Sequence, residues 1–183
     1  MSRSLSSAHL KSKPTSFVDK HAFRIASHAQ GFPIVDVACG TGRNATIFES
    51  FGCKVVCLDK DLDGLISHHH PHPIPHFIQA VPIDFLRDPW PFNPSSIGGI
   101  INVHSLFPAL FPFFAESLIP GGFLILETIP GHGGNYLKLP KACQLRSTLS
   151  EHFEFEFYQE RPVGPSVYGA VAVRLLAKRK GPK

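Results

Sequence analysis

Charge is scarce in this chain of 183 residues: only 17% of them are Asp, Glu, Lys or Arg, against about a quarter in ordinary globular domains. With 43% hydrophobic residues, that balance excludes a disordered polyelectrolyte and suits one globular domain with a full core. Long apolar runs are also missing. The longest, 106–115 (LFPALFPFFA), carries two prolines and is about half the roughly 20 residues that a membrane span needs, so no transmembrane helix is expected. Cysteine is limited to positions 39, 53, 57 and 143, which follow no metal-ligand spacing. They read as reduced thiols of a cytoplasmic protein rather than as a disulfide framework. The opening MSRSLSSAHLKSKPTS lacks both acids and an apolar segment, which argues against a secretory signal and for a flexible tail over residues 1–16.

Acids are absent from both ends. Arg3, Lys11 and Lys13 lie near the start, and Lys178, Arg179, Lys180 and Lys183 near the finish. The formal net charge is +4, a sign that invites a nucleic-acid reading. Removing the seven terminal cations leaves eleven against fourteen acids, so the body between the tails is near −3. This distribution disfavours a nucleic-acid partner without excluding one. Residues 179–183 read as a basic tail, and a rival reading would make it a docking arm for RNA or protein.

Between residues 17 and 178 strands and helices alternate. FVDKHAFRIASHAQG places its apolar residues near one helical face. PIVDVA (33–38) is a buried strand, RNATIFESFG a helix closed by Gly52, and KVVCLD a second strand. DLDGLIS forms a helical turn, HFIQAVPID (76–84) a third strand and IGGIINV (97–103) a fourth. A Phe-rich helix to Leu118 then leads into FLILET (123–128). A helix over 141–151, the alternating FEFEFYQE and the closing YGAVAVRLLAK complete the series. Such alternation predicts an open, doubly wound α/β sheet with helices on both faces and an antiparallel pair at the end.

The turn after the first strand, Asp36-Val-Ala-Cys-Gly-Thr-Gly-Arg-Asn44, carries the chemistry. Glycines at 40 and 42 allow a sharp turn and a close ligand approach, and the next segment offers free N–H groups. Alone, a Gly-x-Gly turn is equally a tight connection. Asp59, at the end of the second strand and 23 positions past Asp36, is where doubly wound folds place an acid for ribose hydroxyls. The pair points to a nucleoside-type cofactor. A small residue at Ala45 keeps NAD within the pattern.

IVDVACGTGRNATIFESFGCKVVCLDKD resembles the first two cofactor motifs of class I S-adenosylmethionine-dependent methyltransferases, and the likeness runs from about residue 17 to 178. DVACGTGRNA with CLDKD, and SLIPGGFLILET later, are most similar to the small tellurite-resistance type. The resemblance implies a Rossmann-like, seven-stranded, mostly parallel sheet with an antiparallel terminal strand. It implies S-adenosyl-L-methionine as cofactor, with Asp36, Ala38, Cys39, Gly40, Gly42 and Asn44 around its methionine end and Asp59 on the ribose. Lys60, Asp84 and Phe85 would lie at the adenine, and Val103 beside the methyl group. Asp84 could equally be a turn acid. Ala38 replaces the family's first glycine, which is tolerable if φ there is ordinary.

The fourth strand ends IINVHSLFP, without the Asp/Asn-Pro-Pro-Tyr pattern of nucleic-acid amino-methyltransferases. In-line transfer from a sulfonium needs alignment and desolvation first and a base only for some acceptors. His104 is the candidate base, against the plainer role of a pocket-wall histidine. Glycine-rich residues 127–138 follow the fifth strand, and His132, Asn135 and Tyr136 there are candidate lid and substrate contacts. His68, His69, His70, His72 and His76 crowd a Pro-rich stretch without helical spacing or a paired acid, and no metal site is assigned. With short connections and no second domain, the expected acceptor is a small molecule. A catalytically silent scaffold of the same fold is the other alternative.

Overall fold

The computed structural model describes residues 13–128 and 136–181. Seven strands form one sheet: β1 (Ile34–Val37), β2 (Val55–Asp59), β3 (Ile78–Pro82), β4 (Ile97–Val103), β5 (Leu118–Glu127), β6 (Phe153–Pro162) and β7 (Val171–Arg179). Their spatial order is β3-β2-β1-β4-β5-β7-β6. The first five are parallel, and β7 inserts antiparallel between β5 and β6. The expected α/β sheet is therefore present, with its reversed strand last in sequence but second from the edge in space. The order reverses between β1 and β4, and the crevice beyond their carboxyl ends is where open α/β sheets bind ligands.

Both faces are covered. Helix α1 (Ser16–His28) and α2 (Asp63–His69) share one apolar layer, in which Val18, Ala22, Ile25, Phe48 and Leu65 meet Ile34, Cys57, Ile101 and Phe123. Close approach of α1 depends on two strand glycines: a Cβ on Gly98 would lie 2.6 Å from the Ala29 Cα, and one on Gly99 would lie 2.7 Å from Ile25 Cγ2. On the other face α3 (Phe111–Ser117) and α4 (Gln144–Leu149) bury Phe111, Phe114, Leu145 and Leu149 against Val35, Ile100, Leu124 and Leu175. α1 is capped by Thr15, whose Oγ1 accepts from the Val18 N–H at 3.4 Å, a side-chain N-cap.

Two segments depart from the sequence reading. Residues 43–52, read as a helix, form only a 3₁₀ run, Thr46–Phe51, ended by left-handed Gly52. The stretch between β3 and β4, where the sequence predicts no helix, carries none. Phe85, Trp90, Phe92 and Phe107 close that face instead, with Trp90 5.1 Å from Phe114 and Phe85 5.0 Å from Phe107, and aromatic pairs of this kind contribute about 0.5–1.5 kcal/mol beyond area burial. Second, the C-terminal cations among the described residues do not form a free arm. Lys178 and Arg179 belong to β7. Arg179 donates to the Leu118 carbonyl and to Ser95 Oγ, and Lys180 Nζ to the Ser150 carbonyl. Among the described residues no helix is long and apolar enough to cross a membrane.

Candidate functional site

Three adjoining cavities open at the carboxyl end of the sheet. The first, about 400 Å³, lies over the tips of β2 and β3 and is lined by Ala38, Gly40, Asp59, Lys60, Ile83, Asp84, Phe85, Leu86, Ser105 and Phe107. The second, about 430 Å³, follows the glycine loop and is lined by Ala38, Cys39, Gly40, Thr41, Arg43, Asn44, Val103, His104 and Ser105. Ala38, Gly40 and Ser105 are common to both, so they form one elongated cleft. Every cofactor residue anticipated from the sequence lines it except Asp36, which lies beneath the loop, and Gly42, which packs against Leu65. Sequence reasoning missed Ile83, Leu86, Ser105 and Phe107, which reach the cleft from connections without a motif, and Arg43, which stood inside the motif without a role.

The loop's conformation explains its composition. Residues 38, 40 and 42 all take left-handed backbone, with φ of +54°, +55° and +71°. At Gly40 a Cβ would project into open space, so the absent side chain leaves room for a ligand. At Gly42 a Cβ would stand 2.4 Å from Leu65 Cδ1, so this glycine serves packing. Ala38 corrects the sequence reading: φ there is not ordinary, and an L-residue in this region costs about 1–2 kcal/mol.

Asp59 fastens the loop. Its Oδ2 accepts from the Gly40 N–H at 2.8 Å and its Oδ1 from the Asp61 N–H at 3.2 Å. Each oxygen keeps a second lone pair for a hydroxyl donor. Asn44 Oδ1 accepts from the Thr15 N–H at 3.0 Å, tying the start of α1 to the loop, so this buried amide is at least a positioning group. Asp84 behaves as the turn acid considered above, its Oδ1 accepting from the Leu86 N–H at 3.0 Å and its Oδ2 lying 3.8 Å from Arg87 Nε.

Asp36 lies fully beneath the loop. Its Oδ2 is buried and has no hydrogen-bond donor. Burial pushes its carboxyl up to about 7, Arg43 pulls it down and Asp59 adds to the rise. An uncompensated buried carboxylate is costly, and a cationic group in the cleft would compensate it. A hydrogen bond with Cys39, burial and the charge of Asp36 push the Cys57 thiol well up, so it is a packing group rather than a nucleophile. All four cysteines are free.

His104 follows β4 with φ +68°, a strained backbone of the sort found at functional sites. Its Nδ1 is 3.1 Å from Arg43 Nη2. A guanidinium only donates, so Nδ1 accepts and the neutral ring carries its proton on Nε2. In this arrangement the Nδ1 lone pair is occupied by Arg43, which disfavours the base role considered for His104. A third cavity, about 200 Å³, begins at His104 and extends over β5, β7 and β6 past Glu127 and Arg174.

Of the three lid candidates, His132 and Asn135 fall outside the described residues. Tyr136 lines none of these cavities; its ring stacks on Tyr168 at 6.0 Å and covers Gly164. Among the described residues no three His, Cys, Asp or Glu side chains group as a metal would require.

The sequence matches no protein-family model and no curated protein. Solved structures resemble the fold. An S-adenosylmethionine-dependent methyltransferase from Mesorhizobium loti has a TM-score of 0.62 at 15% identity, over 88% of this chain and 100% of that one. The geranyl diphosphate C-methyltransferase of Streptomyces coelicolor A3(2), solved with Mg2+, geranyl diphosphate and S-adenosyl-L-homocysteine, gives 0.65 at 13%, over 89% and 80%. The [4+2]-cyclase SpnF gives 0.66 at 15%, over 88% and 80%. The chain thus has the Rossmann-like fold of class I S-adenosylmethionine-dependent methyltransferases, and at these identities the likeness defines the fold alone. The cyclase illustrates that one such fold serves more than one reaction.

Proposed function

We propose that this protein is an S-adenosylmethionine-dependent methyltransferase acting on a small-molecule acceptor. The observation that carries the reading is the Asp59–Gly40 bond at 2.8 Å, at the middle of a cleft whose two halves differ in character. One half offers Phe85, Phe107 and Ile83 for a flat base, and Asp59 for hydroxyls. The other offers the glycine loop above buried, unpartnered Asp36, which suits an amino group. These residues fit the cofactor, which when bound supplies an activated methyl group on a sulfonium.

The protein's part is then positional. Asp59 fixes the loop that the ligand would rest on, and Asp36 awaits a cation. Val103, His104 and Ser105 form the wall where the cleft turns toward the third cavity. Alignment and exclusion of water are what such a displacement needs from a protein.

Calorimetry with S-adenosylhomocysteine tests the proposal. Wild type is expected to bind, and Asp59→Ala to bind at least tenfold more weakly, because both the hydroxyl acceptor and the anchor of Gly40 are lost. Absence of binding by the wild-type protein would remove the proposal.

A further inference from the structure

We infer that the cavity beyond His104 is the acceptor's site, and that it selects a small acid that also carries an N–H or O–H donor. The name acceptor rests on the methyltransferase reading above; the ligand chemistry rests on the cavity's own residues. Position comes first. His104 lines both this cavity and the loop half of the cleft, so a molecule seated here adjoins whatever occupies the cleft.

The sheet assembles the polar groups. Glu127 of β5 pairs with Arg174 of β7, and Arg174 with Gln159 of β6, which forms a row across three strands. Arg161 lies two residues beyond Gln159 and so projects from the same face. Glu127 is 5% exposed. Its Oε1 takes the Arg174 Nε–H at 2.6 Å, whereas its buried Oε2 has no donor. A carboxylate oxygen buried without a donor is costly, and here it borders a cavity, which is where a ligand N–H or O–H would satisfy it.

The charge is not balanced. Arg161 and Arg174 face the cavity with only Glu127 against them, and no acid among the described residues lies within ion-pair distance of Arg161. The excess of one positive charge calls for an anionic group, and a guanidinium fork suits a carboxylate. At about 200 Å³ the cavity is smaller than the roughly 300–1,000 Å³ of drug-sized ligand pockets. Donor and anion therefore belong to one small molecule, in the manner of an amino acid or a hydroxy acid.

The test is an NMR titration of the full-length ¹⁵N-labelled protein that follows the Arg161 and Arg174 Nε–H signals. Four probes of matched shape serve: leucine, 2-hydroxy-4-methylpentanoate, isoamylamine (no acid) and 4-methylpentanoate (no donor). The two bifunctional probes are expected to shift both signals and to bind at least tenfold more tightly than either monofunctional one. Arg161→Gln, at an exposed position, should remove the advantage conferred by the carboxylate. Glu127→Gln, with its fold verified by melting, should remove that conferred by the donor. Equal affinities for all four probes, unmoved arginine signals, or an unaffected Arg161→Gln variant would overturn the inference. S-adenosylhomocysteine titrated into the same sample separates the two readings. Its binding without probe selectivity overturns the acid-and-donor site alone, and selectivity without its binding upholds the ligand chemistry while removing methyl transfer.

Discussion

Arg43 reaches His104 across the cleft, with Nη2 3.1 Å from Nδ1, and the same guanidinium lowers the proton affinity of buried Asp36. One side chain thus conditions two groups that a motif reading treats separately. Replacing it with Gln should shift the His104 ring-nitrogen signals in ¹⁵N NMR, as Nδ1 loses its charged donor. It should also raise the Asp36 carboxyl from about 7, so that S-adenosylhomocysteine binds the variant more weakly than wild type at neutral pH.

Asp36 gives the cleft a pH dependence of defined sign. Its carboxyl is raised to about 7 in the fold, against about 3.9 in an unfolded chain. The folded state therefore holds this proton more tightly, and ionising Asp36 costs stability progressively as pH rises from about 4 to 7. The full cost, on the order of 4 kcal/mol, is reached above that range. Asp36→Asn should melt higher than wild type at pH 8, with the gap closing toward pH 5. If the ionised carboxylate takes the ligand's amino group, wild-type affinity for S-adenosylhomocysteine should rise roughly tenfold between pH 6 and pH 8, following the ionised fraction, and Asp36→Asn should lose that dependence.

Ala38→Gly replaces a left-handed alanine with the residue that tolerates that conformation. Relief of the left-handed strain at φ +54° outweighs the extra flexibility of the unfolded chain, and chemical denaturation should show a gain of about 0.5–1 kcal/mol.

Gly42→Ala should do the reverse. The new methyl meets Leu65, itself buried in the α1 layer, at 2.4 Å and sits at φ +71°. The expected loss is about 2 kcal/mol or more, measured in the same denaturation series.

Strands buried on both faces are legible because they are written as continuous apolar runs: IGGIINV predicts a strand over 97–103, and β4 occupies those residues. Residues 43–52 predict a helix but form a short 3₁₀ run that ends at left-handed Gly52, because a helical pattern closed by glycine does not distinguish the two. The cleft was visible as far as it is local in sequence, since Gly40 and Asp59 belong to one strand-turn-strand unit. Glu127, Arg161 and Arg174 were not visible as a group. Cross-strand register brings them together from two distant segments, and no spacing in the sequence encodes that register. Strain at Ala38 and His104 was equally hidden, since neither residue type advertises a positive φ.

The aromatic closure between β3 and β4 has an optical consequence. Trp90 is the sole tryptophan of the chain, and its ring centre is 6.5 Å from that of Phe85, which lines the cleft. Its indole also donates to Ser117 Oγ at 3.2 Å, so it is anchored at one end and borders the cleft wall at the other. Intrinsic fluorescence excited at the tryptophan band therefore has a single source, placed one ring away from the proposed adenine position. Filling that half of the cleft should change its emission, so the protein carries its own label for following occupancy in real time.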